Sequence, residues 1–336
     1  MQTEKNIKFV IIILLSILPS INAKDIAYKF YRDKFLIVPE SQTYADSFGM
    51  VMICPAHAHG TPDEAMVKLK KILETFPSNQ VSTIWVCRAD QTNTLRKFAP
   101  VVNRIVVNTF ALTSNLGPKN DDPIWPKCDH PFLNHIRELR NIAGKKNLLG
   151  CIDVAGESGY FKERSISFEE IEWMVYALIG ANYQGIVWRG NLDSLSWGNR
   201  LHQLESSLEQ YSDDLGVAEV VNWVTTSTKQ PISALATKNY LFIVLLNTEY
   251  LKLSETTKRV VLPLDTPDCR GSLSIQLPKG IRITSGKTLS GLPVKITHQE
   301  KSIEIPYHYR GGGEIIVLSL THETTTTSQT QQEAQP

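Results

Sequence analysis

The sequence predicts an α/β fold: a domain built on a parallel sheet, followed by an antiparallel all-β domain. Three observations predict it. Around Cys151 to Gly190 the chain reads strand (NLLGCIDVAGE), amphipathic helix (SFEEIEWMVYALIGA), strand (QGIVWRG), a βαβ unit whose strands must pair in parallel. Strand-like and helix-like segments alternate from about Ser47 to Gly190. After about Thr225 the helical period disappears, and short Val- and Ile-rich runs follow, separated by Pro, Gly and Asp turns.

In chain order, GMVMICPA is a strand and TPDEAMVKLKKILETF a helix, with Pro62 in its first turn and Met66, Leu69, Ile72 and Leu73 on one face. VSTIWVCRA is a strand, TNTLRKFAPVV a short helix and RIVVNTFAL a strand. HPFLNHIRELRNIAG is a helix ended by Gly144. In the βαβ unit Ser167 stands three residues before Glu170, a capping-box spacing, and Ile171, Met174, Val175 and Leu178 recur at helical spacing. A long helix from about Ser196 to Asp213 puts Leu201, Leu204, Leu208 and Tyr211 on one face. The strands are nearly continuous in hydrophobicity, as a sheet covered by helices requires.

Beyond Thr225, YLFIVLLNT, KRVVLPL, LSIQLP, KSIEIPY and GEIIVLSL read as strands of a β-sandwich. Its inner face is expected to include Leu241, Ile243, Leu245, Ile303, Ile305 and Ile316, which recur at period two, strand by strand.

At the N-terminus, Lys5 and Lys8 precede FVIIILLSILPSI, and Ala23 supplies a small residue for cleavage. The pattern predicts a signal peptide over residues 1–23, and so a secreted or periplasmic protein. An apolar run of about 13 residues falls short of the roughly 20 that span a bilayer. The expected organisation is then an α/β domain over 24–224, a sandwich over 225–321 and a disordered, polar, low-complexity tail over 322–336.

Lys plus Arg is 35 against 34 Asp plus Glu, which gives no electrostatic reason to expect nucleic acid. The five cysteines (Cys54, Cys87, Cys128, Cys151, Cys269) are too scattered for a disulfide scaffold, and three of them sit in apolar runs as buried thiols would. There is no Gly-rich phosphate loop, no CxxC and no nucleophile elbow; GESG lacks the G-x-S-x-G spacing. No cofactor is expected.

The stretch RSISFEEIEWMVYALIGANYQGIVWRG resembles the penultimate helix and last strand of a group of bacterial glycoside-hydrolase-like (β/α) barrel proteins. The likeness is at residue level over 164–190 and one of pattern over roughly 47–320. It implies a partial or complete (β/α) barrel of glycoside hydrolase type followed by a C-terminal antiparallel β-sandwich. GMVMICPAHAHG, VSTIWVCRA, RIVVNTFAL and NLLGCIDVAGE would then be the fourth to seventh barrel strands. The implied partner is a carbohydrate or glycan. The implied function is an O-glycosyl hydrolase or a non-catalytic carbohydrate-binding protein on the same fold, with a metal-dependent amidohydrolase-type barrel third.

The chain departs from that pattern twice. YKFYRDKFLIVPESQTYADS can supply one strand at most where three βα units should lie. The barrel is therefore incomplete, rearranged, or completed by a homodimer or a companion chain. The fourth strand also ends in CPAHAHG rather than in a carboxylic acid.

Glycoside hydrolysis uses two carboxyl groups roughly 5–10 Å apart, placed at the C-terminal ends of barrel strands. Glu157, just past the proposed seventh strand, takes the nucleophile's region; the alternative is a solvated loop carboxylate. Asp153, four residues earlier, shares its side, and an ion pair with Arg189 competes with a catalytic role. His57 and His59 occupy the place of the missing acid. Their i, i+2 spacing also begins metal sites, but RIVVNTFAL offers no further His, and His130, His135 and His202 fall in or beside helices, so no metal is expected. The candidate catalytic residues are Glu157, Asp153 and His57. The candidate substrate-binding residues are Trp188, Arg189, Asn108, Arg88, Tyr160 and His59, with Asp90 nearby and the aromatic residues offering faces to a sugar ring.

Overall fold

The computed structural model describes residues 36–39, 50–53, 62–74, 83–86, 91–108, 130–153, 167–189, 197–248, 252–253, 260–261, 268–300 and 302–323. The expected signal peptide lies outside the described residues, as do the expected tail from 324 onward and Cys54, Cys87 and Cys128.

The first sheet has six parallel strands: β1 (Leu36–Pro39), β2 (Met50–Ile53), β3 (Thr83–Val86), β4 (Arg104–Asn108), β5 (Asn147–Asp153) and β6 (Gly185–Arg189). The helices are α1 (Pro62–Glu74), α2 (Gln91–Phe98), α3 (Pro131–Ala143), α4 (Phe168–Gly180), α5 (Gly198–Glu209) and α6 (Ser212–Val217). Across the sheet the order is β1-β6-β5-β4-β3-β2. The first strand therefore pairs with the last, Leu36–Pro39 running beside Gly185–Trp188. Among the described residues, β1 and β2 are the two edges.

Strand parity sorts the sheet's side chains. Ile105 and Val107 of β4, Leu148 and Ile152 of β5, and Ile186 and Trp188 of β6 join one core with α2, α3 and α4. Val106, Leu149, Cys151 and Val187, on the other parity, are buried as well. Burial of both parities is why these strands read as unbroken apolar runs.

Helix α4 begins as its sequence predicts. Glu170 N–H donates to Ser167 Oγ at 3.2 Å, and the Glu170 carboxylate accepts from Ser167 N–H at 2.8 Å, which completes the capping box. Ser167→Ala is expected to cost about 1 kcal/mol, read from a denaturant midpoint. Ile171, Met174, Val175 and Leu178 are buried as expected, and so are Trp173 and Tyr176. A helix apolar on nearly every side belongs between two layers. The second layer is antiparallel: Trp173 Nε1 donates to the Asn247 carbonyl at 3.0 Å, and Ser233 Oγ donates to the Gly180 carbonyl at 2.6 Å.

The helix expected from Ser196 to Asp213 is two helices, α5 and α6, broken at Gln210 and Tyr211. The break sets the Tyr211 ring edge-on against Tyr240 and Phe242, at 5.3 and 5.6 Å. Tertiary packing decides this boundary, and a helical face read from spacing cannot show it.

The remaining strands are β7 (Glu219–Val221), β8 (Val224–Thr226), β9 (Ile232–Ala236), β10 (Tyr240–Leu246), β11 (Lys252–Leu253), β12 (Val260–Val261), β13 (Asp268–Ile275), β14 (Ile281–Thr288), β15 (Thr297–His298), β16 (Ile303–Arg310) and β17 (Gly313–His322). They form a five-stranded sheet (β14-β17-β10-β9-β7), a four-stranded sheet (β15-β16-β13-β8) and the pair β11-β12, all with antiparallel pairing. This part begins at β7, ahead of the expected boundary at 225, and β17 runs through His322.

Leu241, Ile243, Leu245, Ile305 and Ile316 lie in a single core shared by the two larger sheets, with Ile303 packed against it, as the period-two reading expects. The opposite parity of the five-stranded sheet (Phe242, Val244, Leu246, Ile315, Val317) belongs to the other core, under α4. At Gly313 a Cβ would lie 2.5 Å from the Leu245 carbonyl oxygen, a backbone atom. Gly313→Ala is accordingly expected to destabilise by about 1–3 kcal/mol, measurable by urea unfolding.

Candidate functional site

Strands β4, β5 and β6 end in Asn108, Asp153 and Arg189. Asn108 is in register with Cys151, Cys151 with Val187, and Asp153 with Arg189. All three end residues therefore share the parity of Cys151 and Val187, on the sheet face opposite the one covered by α2, α3 and α4. Asp153 and Arg189 occupy directly neighbouring positions, one strand spacing apart at about 4.8 Å. Three polar residues thus stand at the C-terminal ends of adjacent parallel strands, where open and closed α/β sheets alike build their sites.

The other expected site residues lie outside the described residues: Glu157, Tyr160, His57, His59, Arg88 and Asp90. In sequence each follows the C-terminal end of a strand. Glu157 and Tyr160 follow β5, the two histidines follow β2, and Arg88 and Asp90 follow β3.

Trp188 requires a correction. Its parity is that of Ile152, not of Arg189, and it has no exposed surface. Its Nε1 donates to Glu205 Oε1 at 2.8 Å, and the other oxygen of Glu205 lies 3.0 Å from His202 Nδ1. The indole is therefore packed between β6 and α5 and presents no face to a sugar. One residue of strand alternation separates it from Arg189. His135 is buried in α3, and its imidazole is pushed down to about 4 by that burial, so it is neutral near pH 7. Among the described residues there is no group of three or more His, Cys, Asp or Glu that could hold a metal ion.

A second polar region arises from tertiary packing. Between α4, α5 and the turn at Leu289–Ser290 lies a cleft of about 590 Å³. Tyr176 Oη donates to Glu172 Oε1 at 3.1 Å. Burial pushes the Glu172 carboxyl up despite that bond, and burial together with Glu172 and Glu314 pushes the Tyr176 phenol well up. Arg200 Nη1 donates to Glu169 Oε1 at 2.5 Å while its guanidinium lies 4.1 Å from the centre of the Phe168 ring. Burial raises Glu169, but the bond from Arg200, its charge and the bonds from the Glu169 backbone and Ser167 together outweigh it and leave this carboxyl below its usual value. The i, i+4 pairing of Glu172 with Tyr176 is visible in the sequence. That β17 brings Glu314 beside the same phenol is not.

Burial lifts the Glu314 carboxyl from 4.5 to about 7. The folded state thus holds a proton that the unfolded chain releases, so this group's contribution to stability falls as pH rises from about 4.5 to 7. Glu314→Gln is expected to flatten the melting temperature across that window. An unchanged profile would show that Glu314 is not the titrating group.

No protein-family model matches the chain, and no curated protein is similar to it. Among solved structures, it is similar to a noncanonic maltogenic α-amylase from Thermotoga neapolitana, with a TM-score of 0.47 at 8% identity over 82% of this chain and 61% of that one. It is similar to a Geobacillus thermoleovorans α-amylase, with a TM-score of 0.41 at 10% identity over 78% of this chain and 65% of that one. It is also similar to a GH30 endoxylanase from Clostridium papyrosolvens, with a TM-score of 0.44 at 9% identity over 89% of this chain and 71% of that one. The chain thus spans less than two thirds of the length of either amylase. These structural neighbours are all glycoside hydrolases. Strand order and strand-end chemistry, not these scores, carry the functional reading.

Proposed function

We propose that this chain is a secreted protein of glycoside hydrolase type, with its carbohydrate site at the C-terminal ends of the parallel strands. The observation that carries this reading is that Asn108, Asp153 and Arg189 end three adjacent parallel strands at positions of one parity. The strand order supports it. With β1 beside β6, the six strands follow the circular order of an eight-stranded barrel whose second and third strands have no counterpart among the described residues, β2 to β6 standing fourth to eighth. The two larger antiparallel sheets, sharing one core, stand where the C-terminal sandwich of such a protein would be. In this reading Glu157 is the nucleophile or base, His57 or Asp153 supplies the acid, and Arg189, Asn108, Arg88, Tyr160 and His59 contact the sugar.

One observation favours the non-catalytic alternative. Asp153 stands in register with Arg189, and an ion pair there would hold the carboxylate ionised and unfit as an acid. A panel of aryl glycosides and polysaccharides separates the two. Turnover supports the hydrolase; sugar binding without turnover, weakened by Arg189→Ala, supports the binding protein; neither result sinks both. Among the described residues β1 and β2 are strand edges that a second copy or a companion chain could occupy. Light scattering is expected to return a mass above 37.8 kDa, and a strict monomer would reject association through those edges.

A further inference from the structure

We propose that Cys54 and Cys87 form a disulfide that staples β2 to β3 at the C-terminal end of the parallel sheet. The register of two strands carries the inference. β2 and β3 run parallel, with Met50 opposite Thr83 and Ile53 opposite Val86, where both strands end. In the sequence the residue after Ile53 is Cys54 and the residue after Val86 is Cys87, each the first beyond its described strand. Two parallel strands continued by one residue from a register pair keep a spacing of about 4.8 Å and a common parity. A disulfide joins Cα atoms roughly 4.4–6.8 Å apart.

Register also selects this pair among the five cysteines. Val86 is opposite Val107, and one residue on Asn108 is opposite Cys151, so Cys151 stands two strands beyond β3. Two strand spacings are about 9.6 Å, past the roughly 7 Å that a disulfide bridges. Cys269 is buried in the core shared by the two larger antiparallel sheets. Cys128 falls between β4 and α3 in the sequence and is the rival partner. Pro55 follows Cys54 and has no N–H to donate, so the ladder cannot continue through it and hold the two chains at full strand spacing. Two thiolates also suit zinc, but zinc takes four ligands where the register supplies two positions.

The bond closes a loop that contains α1 and pins the β2–α1–β3 unit at its open end. Among the described residues β2 is an edge strand, paired on one side only. The bond forms by thiol–disulfide exchange with an oxidant of the glutathione disulfide class. One cysteine thiolate attacks that disulfide, forms a mixed disulfide and expels one glutathione thiolate. The other cysteine thiolate attacks the protein sulfur of the mixed disulfide and expels the second glutathione. Two protein S–H bonds are lost and one S–S bond is made, and the glutathione pair takes up both electrons and both protons.

The test treats the purified, reduced full chain with oxidised glutathione, alkylates the remaining thiols, digests without reduction and maps linked peptides by mass spectrometry. It needs neither export nor turnover, so its result stands apart from the strand-end reading. A peptide pair joined through Cys54 and Cys87 is expected as the dominant link in the native chain. The same oxidation in concentrated urea, where loop closure alone sets the pairing, is expected to give it as one link among several. Cys54→Ser and Cys87→Ser should each remove it. Four results overturn the proposal: no linked pair forms; Cys54 or Cys87 links to Cys128 instead; the pair is no more frequent in the native chain than in urea; or the purified chain carries zinc that Cys54→Ser releases.

Discussion

Glu157→Gln is expected to lower any glycoside turnover found by about a thousandfold or more while leaving the melting temperature unchanged. The amide matches the carboxylate in shape but can neither attack an anomeric carbon nor take a proton from water, and both hydrolytic routes need one of those acts. A stability change of ordinary size cannot mimic this, because a mostly folded enzyme loses only the small fraction that unfolds. The comparison to make is Asp153→Asn, four residues earlier in sequence and in register with Arg189. If Asp153 serves only that pair, its kcat/KM changes modestly and its stability falls; if it acts on the substrate, kcat falls with stability held. Turnover that survives Glu157→Gln removes Glu157 from the mechanism.

Trp173→Ala is expected to cost about 3–5 kcal/mol, the largest stability effect of any single substitution in α4. The indole is fully buried, with Phe132 and His130 rings 5.4 and 5.2 Å away. Its Nε1 holds the Asn247 carbonyl just past β10, and Gly312 approaches so closely that a Cβ there would lie 2.8 Å from Trp173 Cβ. Truncation opens a cavity between two layers that cannot close without moving β10 or β17. Trp173→Phe, which keeps most of the bulk, should lose less. Urea unfolding measures both, and a loss under about 1 kcal/mol for the alanine variant would show that α4 is not the joint between the layers.

The sequence revealed most where one residue's environment follows from its near neighbours. The capping box at Ser167 and Glu170, the apolar spacing of α4 and the period-two face of β10 and β16 were all legible, because each depends on a few adjacent side chains. β9 escaped notice because ISALA is buried on both faces and carries no alternation. β14 escaped because IRITSGKT is mostly polar and is held in place by pairing with β17. The candidate site was half legible. Placing Asn108, Asp153 and Arg189 at strand ends needed only strand boundaries. Trp188 was misplaced because parity at a strand end flips with a one-residue error, and aromatic character alone does not say which face it serves. The Glu172 cleft was invisible because it is assembled from α4, α5 and a turn far along the chain.

The central strands of the five-stranded sheet, β9 and β10, are buried on both broad faces: Leu241 and Ile243 look into one core while Phe242 and Val244 look into the other. They act as a party wall, owned equally by both sides. Neither half of this chain can therefore be traded as a cassette. A fragment cut at 225 would carry a freshly bared apolar plane and stick to whatever it met, and the N-terminal remnant would keep α4 with one of its two packed sides uncovered. Domain swapping with a relative, fusion at that boundary or a split reporter would each have to bring the wall along. What looks in the sequence like a seam between two periodicities is, in the folded chain, the place where a cut does most harm.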